Sequence, residues 1–282
     1  MSTFDYAQVL TRVGDITQQY DEDRVILYAL GVGYGLEHTD PNQLRFVTET
    51  DLDVPPSFAT VASWHIDFTL ELGIAWSNLI HAAQKLVVHA PMPRSATVRA
   101  RTRTVSAFRK RAGTLLINQT EVIDAVSNQK YADLEATMLA RDCWIDGAPE
   151  GGPPSAPPLP KRHPDRIIDL PTSRQVALIY RLLGGRSLIH CDPVDAEAHG
   201  FDGPIMHGLS TWGHACHAVL ASLCDYRVER LQRFEARFSA PVYPGETLRT
   251  ELWQDDDGAW RFTTSALERE TVVLSEGCAH VR

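Results

Sequence analysis

The sequence predicts an α+β protein built from one fold used twice, and three observations carry that prediction. Segments of alternating apolar and polar residues in each half are separated by turn signals such as Pro244-Gly245 and Asp257-Gly258, so they read as antiparallel hairpins. A run rich in Pro and Gly, from Gly147 to Pro160, cannot pair as a strand or continue a helix, and it divides the chain near its middle. Three blocks also recur in the same order at a nearly constant separation. Tyr28-Ala-Leu30 falls on Tyr180-Arg-Leu182, Pro56 to Trp64 falls on Pro204 to Trp212, and Ala90-Pro91, Thr97 and Arg99 fall on Ala240-Pro241, Thr247 and Arg249. The predicted organisation is a first repeat over residues 1–146, a linker over 147–165 and a second repeat over 166–282.

Within each repeat the elements follow one order. A helical stretch comes early, over residues 21–30 and 173–183. A loop and an apolar helix follow, the second of these helices spanning 205–223, with Leu209, Trp212, Ala215, Cys216 and Val219 at helical spacing. Strands are predicted over 96–105, 114–125 and 131–141, then over 233–238, 247–254, 260–266 and 271–280. The result is a long helix wrapped by an antiparallel sheet, twice over.

Composition narrows the function. The 44% hydrophobic and 22% charged content belongs to a globular protein with a real core, and the net charge of −9 excludes a general nucleic-acid binder. Five scattered cysteines, odd in number and without C-x-x-C spacing, predict reduced thiols rather than a disulfide framework. No basic-then-apolar leader opens the chain, and no apolar run approaches the roughly 18 residues that span a bilayer. The expectation is a cytoplasmic protein without a membrane partner.

The chemistry concentrates between Tyr180 and Trp212. His190 ends an apolar-flanked segment, and a helix start follows at once: Asp192 is a good N-cap, Pro193 suits the first helical position, and Asp195 lies three residues past the cap. A second helix start comes after Gly203-Pro204, at His207-Gly208 before an apolar run. Backbone N–H groups at such an end hold a carbonyl oxygen as it gains charge. A fixed imidazole facing them makes an acyl-group site.

Other motifs carry less. His214 and His217 flank Cys216 one turn apart, a metal-ligand spacing with no second ligand cluster, so no metal is assigned. Gly31-Val-Gly-Tyr-Gly35 lacks the G-x-G-x-x-G spacing and the βαβ context of a dinucleotide loop. Arg99, Arg101 and Arg103 alternate on one strand face and read as a solvated outer face rather than as partners of phosphates. Neither a G-x-S-x-G elbow nor a P-loop is present.

The run Tyr180-Arg-Leu-x-Gly-x-Arg-x-x-x-His190-x-Asp-Pro193, followed by Pro204-Ile-Met-His-Gly-Leu209, resembles the signature of the MaoC-like (R)-specific 2-enoyl-CoA hydratases, the type 2 hydratases. The blocks Ala236-Arg-Phe-Ser-Ala-Pro241 and Asp23-Arg-Val-Ile-Leu-Tyr28 are similar to the same family, so the resemblance covers nearly the whole chain. It implies a double hot-dog fold, a homodimer, a coenzyme A thioester as substrate with no cofactor, and a first half that is non-catalytic but accommodates the acyl chain. It further implies that His190 is catalytic and that the backbone of Gly208 donates to the thioester oxygen. Tyr180, Gly185, Arg186, Ser187, Asp192, His207 and Ser210 are implied to line the substrate site.

Three positions depart from the pattern, and the first bears on the chemistry. The family has an acid five residues before its histidine and an asparagine three before, where this chain has Gly185 and Ser187; Leu188 replaces the usual proline. Hydration needs a water activated for attack at C3 and a proton delivered to C2. An acid/base pair typically contributes ~10²–10⁴ in rate, so removing one member costs on the order of 3–5 kcal/mol. The glycine leaves room for a substrate group or an extra water. Asp192, Asp195 and Asp202 are the nearby acids, although capping accounts for the first two equally well. Two alternatives stay open here: another thioester-processing enzyme on this fold, such as a thioesterase or biosynthetic dehydratase, and a non-catalytic acyl-CoA-binding partner subunit.

Overall fold

A computed structural model describes residues 5–65, 67–154 and 156–282. Its strands are β1 (Val13–Tyr20), β2 (Leu79–Val88), β3 (Ala96–Lys110), β4 (Gly113–Asp124) and β5 (Lys130–Arg141), then β6 (Arg166–Pro171), β7 (Leu231–Phe238), β8 (Thr247–Gln254), β9 (Trp260–Ala266) and β10 (Thr271–Val281). They form one ten-stranded antiparallel sheet in the order β1-β3-β4-β5-β2-β7-β10-β9-β8-β6. Read outwards from its middle, the sheet pairs each strand of one half with its counterpart in the other: β2 with β7, β5 with β10, β4 with β9, β3 with β8, β1 with β6. The duplication inferred from the sequence is written into the strand order.

Alternation fixes which face each strand buries. On β3, Val98, Ala100, Thr102 and Thr104 are buried while Arg101 and Arg103 are exposed, so these arginines lie on the outer face. Asp257-Gly258 turns β8 into β9 as its residue types dictate: Gly258 takes a φ of +84° and the Asp257 carboxylate accepts from the Ala259 N–H at 3.1 Å. The predicted bounds of β8 and β9 coincide with those observed; β1, β2 and β6 were not foreseen. Among the described residues the linker carries no helix, and its start lies along β3, where the Arg109 N–H donates to the Pro149 carbonyl at 2.7 Å.

The helices are short, with one exception. They are α1 (Tyr6–Thr11), α2 (Glu22–Leu30), α3 (Pro41–Leu44), α4 (Ala59–Ala62), α5 (Asp67–Leu70), α6 (Val176–Tyr180), α7 (Pro193–Ala198) and α8 (Gly208–Leu223). Among the described residues no helix is long and apolar enough to cross a membrane. The sequence predicts α8 from residue 205, but the chain there is extended: Ile205 and Met206 donate their N–H groups to the Ile189 and Val242 carbonyls, at 3.1 and 2.8 Å. Every residue from Leu209 to Leu220 is buried. The first half departs from its repeat at this point. Its counterpart, α4, has four residues against the sixteen of α8, so a long helix twice over is corrected to a long helix once. The inner face of the first half's sheet is left partly uncovered.

A buried helix must have its polar groups answered. The Ser210 hydroxyl donates to the Gly31 carbonyl at 2.7 Å, His214 Nδ1 to the Ser210 carbonyl at 2.8 Å, and His217 Nδ1 to the Val32 carbonyl at 3.3 Å. The His217 ring also stacks on Tyr34 with centroids 3.8 Å apart. Ser210 and His217 thus seat α8 against the loop after α2, while the His214 bond closes within the helix itself. Gly213 allows the close approach, because a Cβ there would lie 2.4 Å from Val32 Cγ1 and 3.0 Å from the Tyr28 hydroxyl.

Two consequences are measurable. Gly213→Ala should destabilise the fold by roughly 1–3 kcal/mol through overpacking, outweighing the ~1 kcal/mol that alanine gains in helix propensity, as read by denaturant unfolding. Burial holds His81 and His214 at a pKa of about 4, and holds His207 and His217 at about 3. An unfolded chain titrates its histidines near pH ~6.5. Stability is therefore fully present above that pH and is lost as pH falls towards 4 and then 3, by up to about 1.4 kcal/mol per pH unit for each histidine. Equal stability at neutral pH and at pH about 4 would contradict the neutral burial of these imidazoles.

Candidate active site

The chain after α6 makes a 3-10 turn over Arg181–Leu183, stops at Gly184 with a φ of +138°, and re-forms a 3-10 turn over Leu188–His190. The second turn is tied off by the Cys191 and Asp192 N–H groups, which donate to the Leu188 carbonyl at 2.9 and 2.8 Å. Asp192 then caps α7, accepting from the Val194 and Asp195 N–H groups at 2.9 and 3.4 Å. His190 is fixed between these two devices.

Its tautomer follows from its partner. Nδ1 lies 2.9 Å from the Ile205 carbonyl, to which it must donate, leaving the Nε2 lone pair free. His207 is held the other way round: Nε2 donates to the Gly185 carbonyl at 2.7 Å, and Nδ1 is buried without a partner. The two imidazoles stack with centroids 3.6 Å apart and planes 22° from parallel, and Tyr180 packs on His207 at 5.0 Å. Burial, with the Arg181 charge acting in the same direction, lowers the His190 pKa. Burial and then the neighbouring His190 bring His207 down to about 3. Both rings are neutral at physiological pH.

The room expected beside Gly185 is taken. A Cβ there would lie 2.9 Å from His207 Cδ2 and 3.2 Å from its Nε2, so an imidazole fills part of the volume that a carboxylate side chain needs. Across from His190 begins α8. Its first intrahelical bonds run from the Ser210 and Thr211 N–H groups to the His207 carbonyl, at 2.9 and 3.1 Å. The N–H groups of Gly208 and Leu209 come before that ladder, and Gly208 is exposed where the helix meets the cavity.

The cavity measures about 770 Å³, enough for a large ligand. It begins at His190, His207 and Gly208 and extends past Trp64 and Phe68 into the first half, to Thr102, Asn118, Thr120 and Met138. Of the residues singled out in the sequence, Tyr180, Gly185, Ser187, His190, His207 and Gly208 all line it. Three do not. Arg186 is exposed outside the lining, Asp192 is committed to its cap, and the Ser210 hydroxyl is turned to the Gly31 carbonyl. Of the nearby acids Asp195 reaches the lining, Asp202 does not. By resemblance the sequence assigns the acyl chain to the first half, but it names none of the residues of the wall there. Its signal was the alternation of β4, which puts Asn118 and Thr120 on the buried side between Leu116 and Val122.

Comparison with known proteins agrees with this architecture. Residues 18–142 match the MFE-2 hydratase 2 N-terminal domain and residues 155–276 the MaoC like domain. The chain is 32% identical to a 3-hydroxyacyl-thioester dehydratase of Mycobacterium tuberculosis over 94% of its own length and 95% of the relative's. It is 31% identical to an enoyl-CoA hydratase of the same organism, over 89% of each. Among solved structures, a MaoC-like dehydratase from Phytophthora capsici superposes with a TM-score of 0.85 at 26% identity, covering 99% of this chain and 98% of that one. With a hot-dog unit in each half and both family models matched in order, the chain belongs to the MaoC-like, type 2 enoyl-CoA hydratase family as a double hot-dog protein.

Proposed function

We propose that this chain is a hydro-lyase that interconverts a 2-enoyl-CoA thioester and its 3-hydroxyacyl counterpart, with His190 as its sole acid/base. The observation that carries the reading is the His190 ring, with Nδ1 donated to the Ile205 carbonyl and Nε2 left with a lone pair, in the cavity where α8 begins. A water bound at Nε2 loses a proton to it as its oxygen attacks C3. The electrons move through the C2–C3 double bond onto the thioester oxygen, which the Gly208 N–H receives. The imidazolium then returns its proton to C2. One water is added and His190 ends as it began. Elimination runs the same steps backwards.

Gly185 stands where the family's signature has its acid, and the stacked His207 has the opposite tautomer from His190. With its Nδ1 lone pair buried, His207 shapes the wall and keeps bulk water from one face of His190. Tyr180 supports His207, and Ser187 and Gly185 border the acyl thioester. A homodimer belongs to the same reading, tested by light scattering; the outer strands β1 and β6 each pair on one side only among the described residues.

Following the loss of enoyl-thioester absorbance tests the chemistry. His190→Gln should lower kcat by ~10²–10⁴ while leaving the melting temperature near that of the parent. Because burial lowers the His190 pKa, the neutral, active form should persist below the ordinary histidine value, with the rate falling as pH drops through the depressed value. An acid limb at or above pH ~6.5 would contradict His190 as the titrating base. Absence of turnover with short, long and ring-bearing enoyl-CoAs, together with turnover gained by Gly185→Asp, sinks the native activity. Release of free thiol instead would identify a thioesterase.

A further inference from the structure

The inner end of the cavity is not what a simple hydrocarbon tail requires. In the second half, α8 seals the sheet, and the pair Leu252 and Phe262 on β8 and β9 is fully buried. Counting from the aligned Thr97 and Thr247, the corresponding first-half pair is Thr102 and Thr120, whose hydroxyls lie 2.9 Å apart. The next pair along is also polar: Thr104 donates to Asn118 Oδ1 at 2.8 Å, and Asn118 Nδ2 donates to Thr69 Oγ1 at 3.1 Å. Thr69, Thr102, Asn118 and Thr120 all line the cavity. A threonine pair alone is no signal, since Thr250 and Thr264 make one in the second half, sealed and mutually bonded at 3.0 Å. What differs is Asn118, together with the short α4 that leaves this face open.

Hydrogen-bond arithmetic shows what the cluster lacks. Asn118 has two amide hydrogens and uses one on Thr69. Thr102 and Thr120 share one hydrogen between them, so one hydroxyl hydrogen is left over. The spare donors border a space otherwise walled by Leu134, Ala136 and Met138. A plain alkyl chain seated there would strip water from these donors and return nothing. An oxygen on the ligand would answer them.

We propose that Asn118, Thr69 and the Thr102–Thr120 pair form a subsite for an oxygen-bearing acyl group, a keto or hydroxyl function remote from the thioester. The inference rests on the acyl-thioester reading above and adds the substrate class to it. The site selects oxygenated chains over saturated tails of equal length.

The test uses 2-enoyl-CoA esters of matched length, one plain, one with a distal keto group and one with a distal hydroxyl, with the position of the oxygen varied along the far end of the chain. The wild type should prefer an oxygenated ester by about tenfold in kcat/KM, the equivalent of one hydrogen bond. Asn118→Leu should bring that ratio close to one. Thr120→Val provides the second variant should Asn118→Leu fail to fold, with the same expected direction. A keto preference assigns the spare donors to the contact, and a hydroxyl preference adds an acceptor such as Gln84, which also lines the cavity. A wild type that turns over every ester without preference, or variants that slow all esters in proportion, overturns the subsite while leaving the hydratase intact. If no ester turns over, the hydratase reading fails, and calorimetric dissociation constants for the same esters decide the subsite separately: tenfold tighter binding of an oxygenated ester, lost in the variant, supports it, and equal binding overturns it.

Discussion

The carbonyl groups of Gly31 and Val32 hold α8, and the position of α8 decides the rest of the site. A helix buried from Leu209 to Leu220 with a serine and two histidines on it is tolerable only because each of these finds an acceptor. Leaving one such group unanswered costs about 1–3 kcal/mol, so the loop after α2 and the helix can meet in only one register. Gly213 sets how closely they meet. The register places Gly208 at the cavity. Ile205 completes the connection, because its N–H binds the Ile189 carbonyl while its own carbonyl takes the proton of His190 Nδ1. One residue thereby ties the imidazole to the approach of the helix.

The small residue at Gly185 has a structural counterpart in His207. Its imidazole occupies part of the space next to position 185, stacks on His190, and is kept neutral by burial. A low-dielectric wall on one face of His190 weakens the screening of charge on that side of the cavity. A site with one imidazole and one helix end thus keeps two of the contributions that the chemistry needs.

Much of this was legible in the sequence. In the second half β8 and β9 are bounded by clear turn residues and fall on the residues the sequence predicts, whereas β7 and β10 alternate less regularly. Asp192-Pro193 and His207-Gly208 are helix starts by residue type alone. What escaped depended on long-range pairing. β1 and β6 lie at the sheet edges, where burial on one face is slight and the pattern weak. β2 sits at the joint between the halves, flanked on both sides, and its sequence alternates poorly. The repeat suggested two long helices, because local similarity around Pro56 and Pro204 cannot register that the first helix ends at Ala62. Arg186 and Ser210 lie in the signature run but turn away from the cavity, since adjacent residues in a turn or helix point in different directions. For Asn118 the alternation of β4 was the one signal, and its place on the cavity wall follows from the pairing of β3, β4 and β5.

Strands β2 and β7 meet at the centre of a single sheet, with Leu86 opposite Phe234 and Lys85 opposite Glu235. Two identical subunits joined in this way would be bound by symmetry, so that any residue changed on one side would change on the other. Covalent fusion lifts that obligation. One unit was free to shorten its helix while the other kept it long. The asymmetry between four helical residues and sixteen is a division that no pair of copies of one short gene product could have reached.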